Sequence, residues 1–263
     1  MVESIKELKK ICQKKEKESL YIRYFIRSVS VYFTKILLHT SVTPNGVTVI
    51  GFLVGVIASI FFFSGGYMNF ILGSVLLLLA NIFDYVDGEI ARYRKSASIT
   101  GNYLDDVLTE LVFIMAFSSL TIGLYMASQS IIIIILGFML VGSASYHKVV
   151  FYTRYSILVN QFREIRKTKI DTSRTMDLQV KTNSLKKMKT KNYLFHNPFI
   201  AIMFVISSLL GLLGWVFIFY SIAFPVMLAM FIYYQTHCGG FESFIERTRF
   251  YIEQEKPARR SKR

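Results

Sequence analysis

Apolar residues run almost unbroken along most of this chain, separated by short polar or glycine-containing breaks. Six stretches can be delimited: Val47–Ser64, Met68–Phe83, Tyr103–Met126, Ile131–Phe151, Phe195–Leu213 and Trp215–Gln235. Each approaches the ~20 residues that a helix needs to cross the hydrocarbon core of a bilayer. The second is short as it stands, and predicts a helix that continues through the acidic run beginning at Asp84. Gly65-Gly66 and Gly211/Gly214 mark sharp turns between stretches.

The pattern before the first stretch is different. Residues 1–19 are rich in Lys and Glu and read as a helical arm with a solvated face. From Leu20 to Leu38, Arg23, Arg27, Ser30 and Thr34 recur at i, i+4, i+7 and i+11, with aromatic and aliphatic residues between them. This predicts an amphipathic helix lying in the interface, apolar side toward the acyl chains and basic stripe near the headgroups. A partner-binding helix is the alternative. Ser41–Asn45 ends that helix, and Pro44 suits the first turn of the next.

The expected fold class is therefore an all-α integral membrane six-helix bundle with an N-terminal interfacial amphipathic helix. Residues 1–42 form the arm and interfacial helix, 43–240 the six-span domain, and 241–263 a basic cytoplasmic tail. Within the domain, 158–192 is polar, basic and poor in aromatics, and predicts a cytoplasmic loop or a small helical excursion.

Composition supports a membrane protein: 53% of the 263 residues are hydrophobic, and the mean hydropathy is +0.43. The net charge of +14 would suggest nucleic acid in a soluble chain, but its distribution excludes that. Of the 31 Lys and Arg, nine precede the first stretch and three follow the second (Arg92, Arg94, Lys95). Twelve more lie between Lys148 and Lys191, and seven follow the sixth stretch. The connectors around Gly65–Gly66, Ala127–Ser130 and Gly214 carry none. The positive-inside rule then places both termini and the acidic run on the cytoplasmic side, in a prokaryotic plasma membrane on this reading. The basic segments meet anionic headgroups. Cys12 and Cys238 have no disulfide or metal-binding spacing.

Between two of these stretches the chain reads Asp84-Tyr-Val-Asp87-Gly88-Glu-Ile-Ala91-Arg92, then eight residues, then Gly101-Asn-Tyr-Leu-Asp105. A carboxylate at a membrane helix centre costs ~2.5–3.5 kcal/mol, so three kept beside apolar stretches point to use. Asp84 and Asp87, three apart, share a helix face, and Gly88 removes a side chain beside them. Gly101 opens the next helix, with Asp105 one turn in. Two antiparallel helices bring the three acids together, where they call for cations. All-oxygen ligands suit Mg²⁺, Mn²⁺ or Ca²⁺, and a pair of such ions can clamp a diphosphate.

The run resembles the signature of the CDP-alcohol phosphotransferases, D-x2-D-G-x2-A-R-x8-G-x3-D-x3-D, at Asp84, Asp87, Gly88, Ala91, Arg92, Gly101 and Asp105. The Thr43–Thr48 segment and six expected spans are also similar to that family. The resemblance implies a transferase in phospholipid synthesis. It would move a substituted phosphate from a CDP-linked donor, CDP-diacylglycerol for example, to an alcohol or phosphorylated alcohol, with release of CMP. It implies Asp84, Asp87 and Asp105 as ligands of two Mg²⁺ or Mn²⁺ ions. Gly88, Arg92 and Ser98 would meet the donor's diphosphate beside Gly101, and Asn45 to Thr48 its nucleotide side. It also implies pairing as a homodimer.

One position departs. The signature's last aspartate, its base, falls at Thr109, and a threonine hydroxyl is a poor base at neutral pH. Relative to Asp105, Thr109 points to about 40°, Asp106 to about 100° and Glu110 to about 140° around the helix. Asp106 and Glu110 are the candidate substitutes, and a degenerate site that binds a CDP-lipid or metal without turnover is the alternative. A transporter fits less well, because the acids cluster at one membrane face. Glu89 reads as a solvated or headgroup-facing acid. His147, Lys148 and Arg154 read as flanking charge or as a pocket for an acceptor phosphate, and His39 and His196 as interfacial histidines.

Overall fold

The computed structural model describes residues 3–13, 21–167, 195–237 and 239, and among these it is all helical. Cys238, the tail 241–263 and the expected loop beyond residue 167 lie outside the described residues. Helix α1 spans Ile5–Cys12, and α2 (Arg27–Leu38) follows a π-helical turn at Ile22–Ile26. Then come α3 (Pro44–Ser64), α4 (Tyr67–Tyr93), α5 (Ile99–Ser128), α6 (Ile131–Lys167), α7 (Asn197–Leu209) and α8 (Leu213–His237).

Helix ends follow local chemistry. Thr43 caps α3 by accepting the Gly46 N–H at 3.2 Å, with Pro44 in the first turn. Ser98 caps α5 by accepting the Gly101 N–H at 3.0 Å. Gly65 and Gly66, at φ +65° and +84°, reverse the chain between α3 and α4 where a side chain would be strained. As the pattern predicts, α4 runs on through the acidic residues to Tyr93.

Among the described residues, five helices are long and apolar enough to cross a membrane: α3, α4, α5, α6 over Ile131–Thr153, and α8. The fifth apolar stretch of the sequence becomes α7, which has 13 residues. That is about 20 Å of helix, short of a hydrocarbon core of about 30 Å. Gly211, at φ +71°, separates it from α8.

Two compact units divide the chain. The first takes α1 to α5, α6 through Val141, α7, and α8 as far as Ile222. Within it α3 packs along α4 and α5. Phe204 of α7 stands at the centre of a buried aromatic cluster with Phe62, Phe117 and Tyr220. The second unit begins at Gly142 in α6 and Ala223 in α8, and there the His147 ring lies 5.4 Å from that of Phe231. His147 and Lys148 lie in the last turns of the Ile131–Thr153 span and Arg154 follows it, in a helix that continues to Lys167.

The N-terminal helices depart from the pattern-based expectation. α1 is more than a solvated arm: Leu8 and Cys12 are fully buried against Val31. In α2 the polar stripe faces inward. Arg27, Ser30 and Thr34 are buried, whereas Tyr32 and Ile36, and Tyr24 in the π-helical turn before them, are exposed. Of the stripe, Arg23 alone is exposed. The cause is a carboxylate on α4, described below.

Candidate active site

A cleft with a cavity volume of about 280 Å³ opens where α3, α4 and α5 meet. Asp84, Asp87, Asp105, Asn45, Thr48, Gly88, Arg92, Ser98 and Gly101 all border it. So do Arg27, Tyr85, Ser96 and Asn102, whose place there the sequence reading missed. A smaller cavity of about 20 Å³, lined by Asn81, Asp84, Asp105, Thr109 and Phe113 among others, lies between the same helices. Asp106 is exposed, and neither it nor Glu110 lines either cavity.

Hydroxyls from two neighbouring helices meet the α4 acids. Thr48 Oγ1 donates to Asp87 Oδ2 at 2.6 Å and lies 3.2 Å from the Pro44 carbonyl. A hydroxyl has one hydrogen, and the shorter contact receives it. Thr109 Oγ1 donates to Asp84 Oδ1 at 2.7 Å. Asp87 is only 5% exposed. The Asp105 carboxyl touches that of Asp84, and its Oδ1 is buried without a hydrogen-bond partner.

These acids fit a hard divalent cation by chemistry. A buried oxygen without a donor is costly, and touching carboxylates repel; a cation would relieve both. The donors are all oxygen, as Mg²⁺ and Mn²⁺ prefer. As the side chains stand, no group of three His, Cys, Asp or Glu among the described residues is arranged to hold an ion. Two of the three acids have instead turned an oxygen to a threonine.

Close approaches shape the rest of the cleft. A Cβ on Gly101 would stand 2.9 Å from Asn45 Oδ1 and 3.0 Å from Ser98 Oγ. One on Gly88 would stand 3.2 Å from a terminal nitrogen of Arg92. Arg92 Nε donates to the Cys12 carbonyl at the end of α1. Arg94 donates to the carbonyls of Val42 and, at 2.8 Å, Thr40, tying the end of α4 to the turn that precedes Asn45.

Glu89 is fully buried, which overturns the headgroup-facing expectation. Its Oε1 accepts from Arg27 at 3.0 Å, Ser30 at 2.8 Å and Gln13 at 3.4 Å, and its Oε2 from Thr34 at 2.6 Å. The polar stripe of α2 therefore solvates this acid, and a stripe matched by one buried acid is the signal that could have located it. Nearby, burial pushes the Cys12 thiol up to about 11, with the Glu89 charge adding to the shift.

The family model described as CDP-alcohol phosphatidyltransferase matches residues 41–227. A bifunctional IPC transferase and DIPP synthase of Thermococcus kodakarensis is 33% identical over 34% of this chain and 20% of its own length. An archaetidylinositol phosphate synthase of Pyrococcus horikoshii is 35% identical over 29% of this chain and 39% of its own. The inner membrane protein YnjF of Escherichia coli is 36% identical over 27% and 33%. The chain thus spans well under half the length of these relatives.

Proposed function

The chain belongs to the CDP-alcohol phosphatidyltransferase family, and we propose that it transfers a substituted phosphate from CDP-diacylglycerol, or a lipid of that class, to an alcohol. An oxygen–phosphorus bond forms between the acceptor hydroxyl and the donor's β-phosphorus as the bond to CMP breaks. The convergence of Asp84, Asp87, Asp105 and Arg92 on one cleft carries this reading. The name of the Pyrococcus relative supports inositol phosphates among the acceptors.

Asp84, Asp87 and Asp105 would hold divalent cations, which when bound offset the charge of the donor's diphosphate. Arg92 and the capped start of α5 at Ser98 bind the same group. Gly88 and Gly101 keep the walls close, and Asn45 and Thr48 face the nucleotide. The acceptor's proton passes to Thr109 Oγ1 as that hydroxyl gives its own to Asp84 Oδ1. The hydrogen bond between them supports this route, while Asp106 and Glu110 stand outside both cavities.

The topology that goes with this function has six crossings, α7 supplying the short one, and both termini in the cytoplasm. The segregation of Lys and Arg supports it.

The test is CMP release from CDP-diacylglycerol by protein in vesicles, with Mg²⁺ or Mn²⁺ and with inositol phosphate or glycerol phosphate. Release should need both metal and acceptor, and should vanish in Asp87→Ala. Thr109 favours one rival reading, a cleft that binds the donor without turnover. Binding of CDP-diacylglycerol with no CMP release under any acceptor would select it.

A further inference from the structure

Arg27 is only 5% exposed, yet it borders the cleft that holds the three aspartates. Three contacts fix its place. Its Nη1 donates to Glu89 Oε1 at 3.0 Å, its guanidinium lies 4.7 Å over the Tyr85 ring, and its carbonyl accepts from Gln13 Nε2 at 2.9 Å. Glu89 is held in turn by Ser30, Thr34 and Gln13, so the carboxylate that orients Arg27 is itself over-determined.

A buried ion pair is a poor device for stability alone, because desolvating both charges offsets most of their attraction. Four donors on one buried acid instead fix the position of what that acid holds. Here it holds a guanidinium at the wall of a polar cleft that Arg92 also lines. A planar fork of donors is the group best suited to phosphate oxygens.

We propose that Arg27 contacts a phosphate of the substrate from the α2 wall of the cleft, and that Glu89 is the positioning residue that aims it. The inference rests on the transferase reading for the identity of that phosphate, the diphosphate of a CDP-linked donor. On this account α2 belongs to the binding site, and its inward-facing polar stripe exists to present one arginine.

The test uses the full chain and two substitutions. Glu89→Gln keeps the size of the side chain and one accepting oxygen, enough for the Ser30 side or for Thr34 but not for both, and removes the charge. Arg27→Lys keeps the charge and loses the fork. For each variant, kcat and donor KM are measured with CDP-diacylglycerol in vesicles. Affinity for CDP is measured by calorimetry in detergent, and folding by the melting transition.

Both variants should raise donor KM and weaken CDP binding by about tenfold, with kcat within about threefold, the signature of lost ground-state binding. A folded variant with donor KM and CDP affinity within about twofold of the unmodified chain overturns the proposal and leaves the pair as a mere staple of α2. If Glu89→Gln does not fold, Arg27→Lys decides alone. CDP binding by the unmodified chain without turnover, weakened in both variants, would sink the transferase reading and keep this one. Neither binding nor turnover by the unmodified chain sinks both.

Discussion

Thr109 of α5 donates its hydroxyl hydrogen to Asp84 Oδ1 of α4 at 2.7 Å, at the position where the family signature carries an acid. The hydroxyl joins two acid-bearing helices without adding negative charge to a cleft that already holds three carboxylates. Thr109→Asp would put a fourth carboxylate against Asp84. The variant should melt lower than the unmodified chain in a chelator, and gain more in melting temperature on adding Mn²⁺. A difference of about 1 kcal/mol corresponds to about 2–4 °C for a chain of this size. Melting curves in detergent with and without Mn²⁺ check it.

Thr48→Val removes the donor to Asp87 Oδ2, an oxygen of a side chain that is 5% exposed. An acceptor stripped of its partner in such a place costs about 1–3 kcal/mol. Thr48→Ser keeps the hydroxyl and should melt near the unmodified chain. Thr48→Val should melt several degrees lower and lose donor affinity.

Gly123→Ala tests the packing of α5 on α3. A Cβ there would stand 2.0 Å from the Phe62 carbonyl oxygen, which is backbone and cannot rotate away. The helices must separate, at a cost of about 3 kcal/mol. The expected result is a sharply lower melting temperature, with donor KM little changed in the protein that stays folded.

The Cys12 thiol gives a pH-dependent readout. Burial first, and then the Glu89 charge, raise it from 9.0 to about 11. At pH 8 only about one molecule in a thousand carries the thiolate, the reactive form. Maleimide should therefore label Cys12 far more slowly in the folded chain than in detergent-denatured chain. Above pH 9 the unfolded chain ionises this thiol while the folded one keeps its proton up to about 11. The thiol's contribution therefore makes stability fall as pH rises through that window.

Much of the site was legible in the sequence because helical spacing is rigid. Asp84 and Asp87 at i, i+3, and Asp105 one turn into the next helix, had to meet if the two helices ran antiparallel. Thr43, Ser98 and Gly65-Gly66 announced the helix ends by local chemistry alone. Glu89 was misread because it lies about 200° around α4 from Asp87, and the sequence does not say which element covers that face. The stripe of Arg27, Ser30 and Thr34 was visible, but a polar stripe is satisfied equally by headgroups and by a buried carboxylate. α7 is shorter than its apolar stretch because Leu210–Leu213 carries the apolar run past Gly211, where the backbone turns. Asp106 and Glu110 looked eligible as bases by angle, and their distance from the cavities depends on packing that angles do not contain.

The account's central claim is transfer between two substrates in one cleft, so the deciding measurement counts both products. Phosphorus NMR of the unmodified chain in vesicles, with CDP-diacylglycerol, Mn²⁺ and an acceptor such as inositol phosphate, reports CMP and the new phosphodiester together. The account predicts that they appear in equal amounts, and that neither appears when the acceptor is left out. CMP formed without an acceptor, or no CMP with any alcohol supplied, would contradict it.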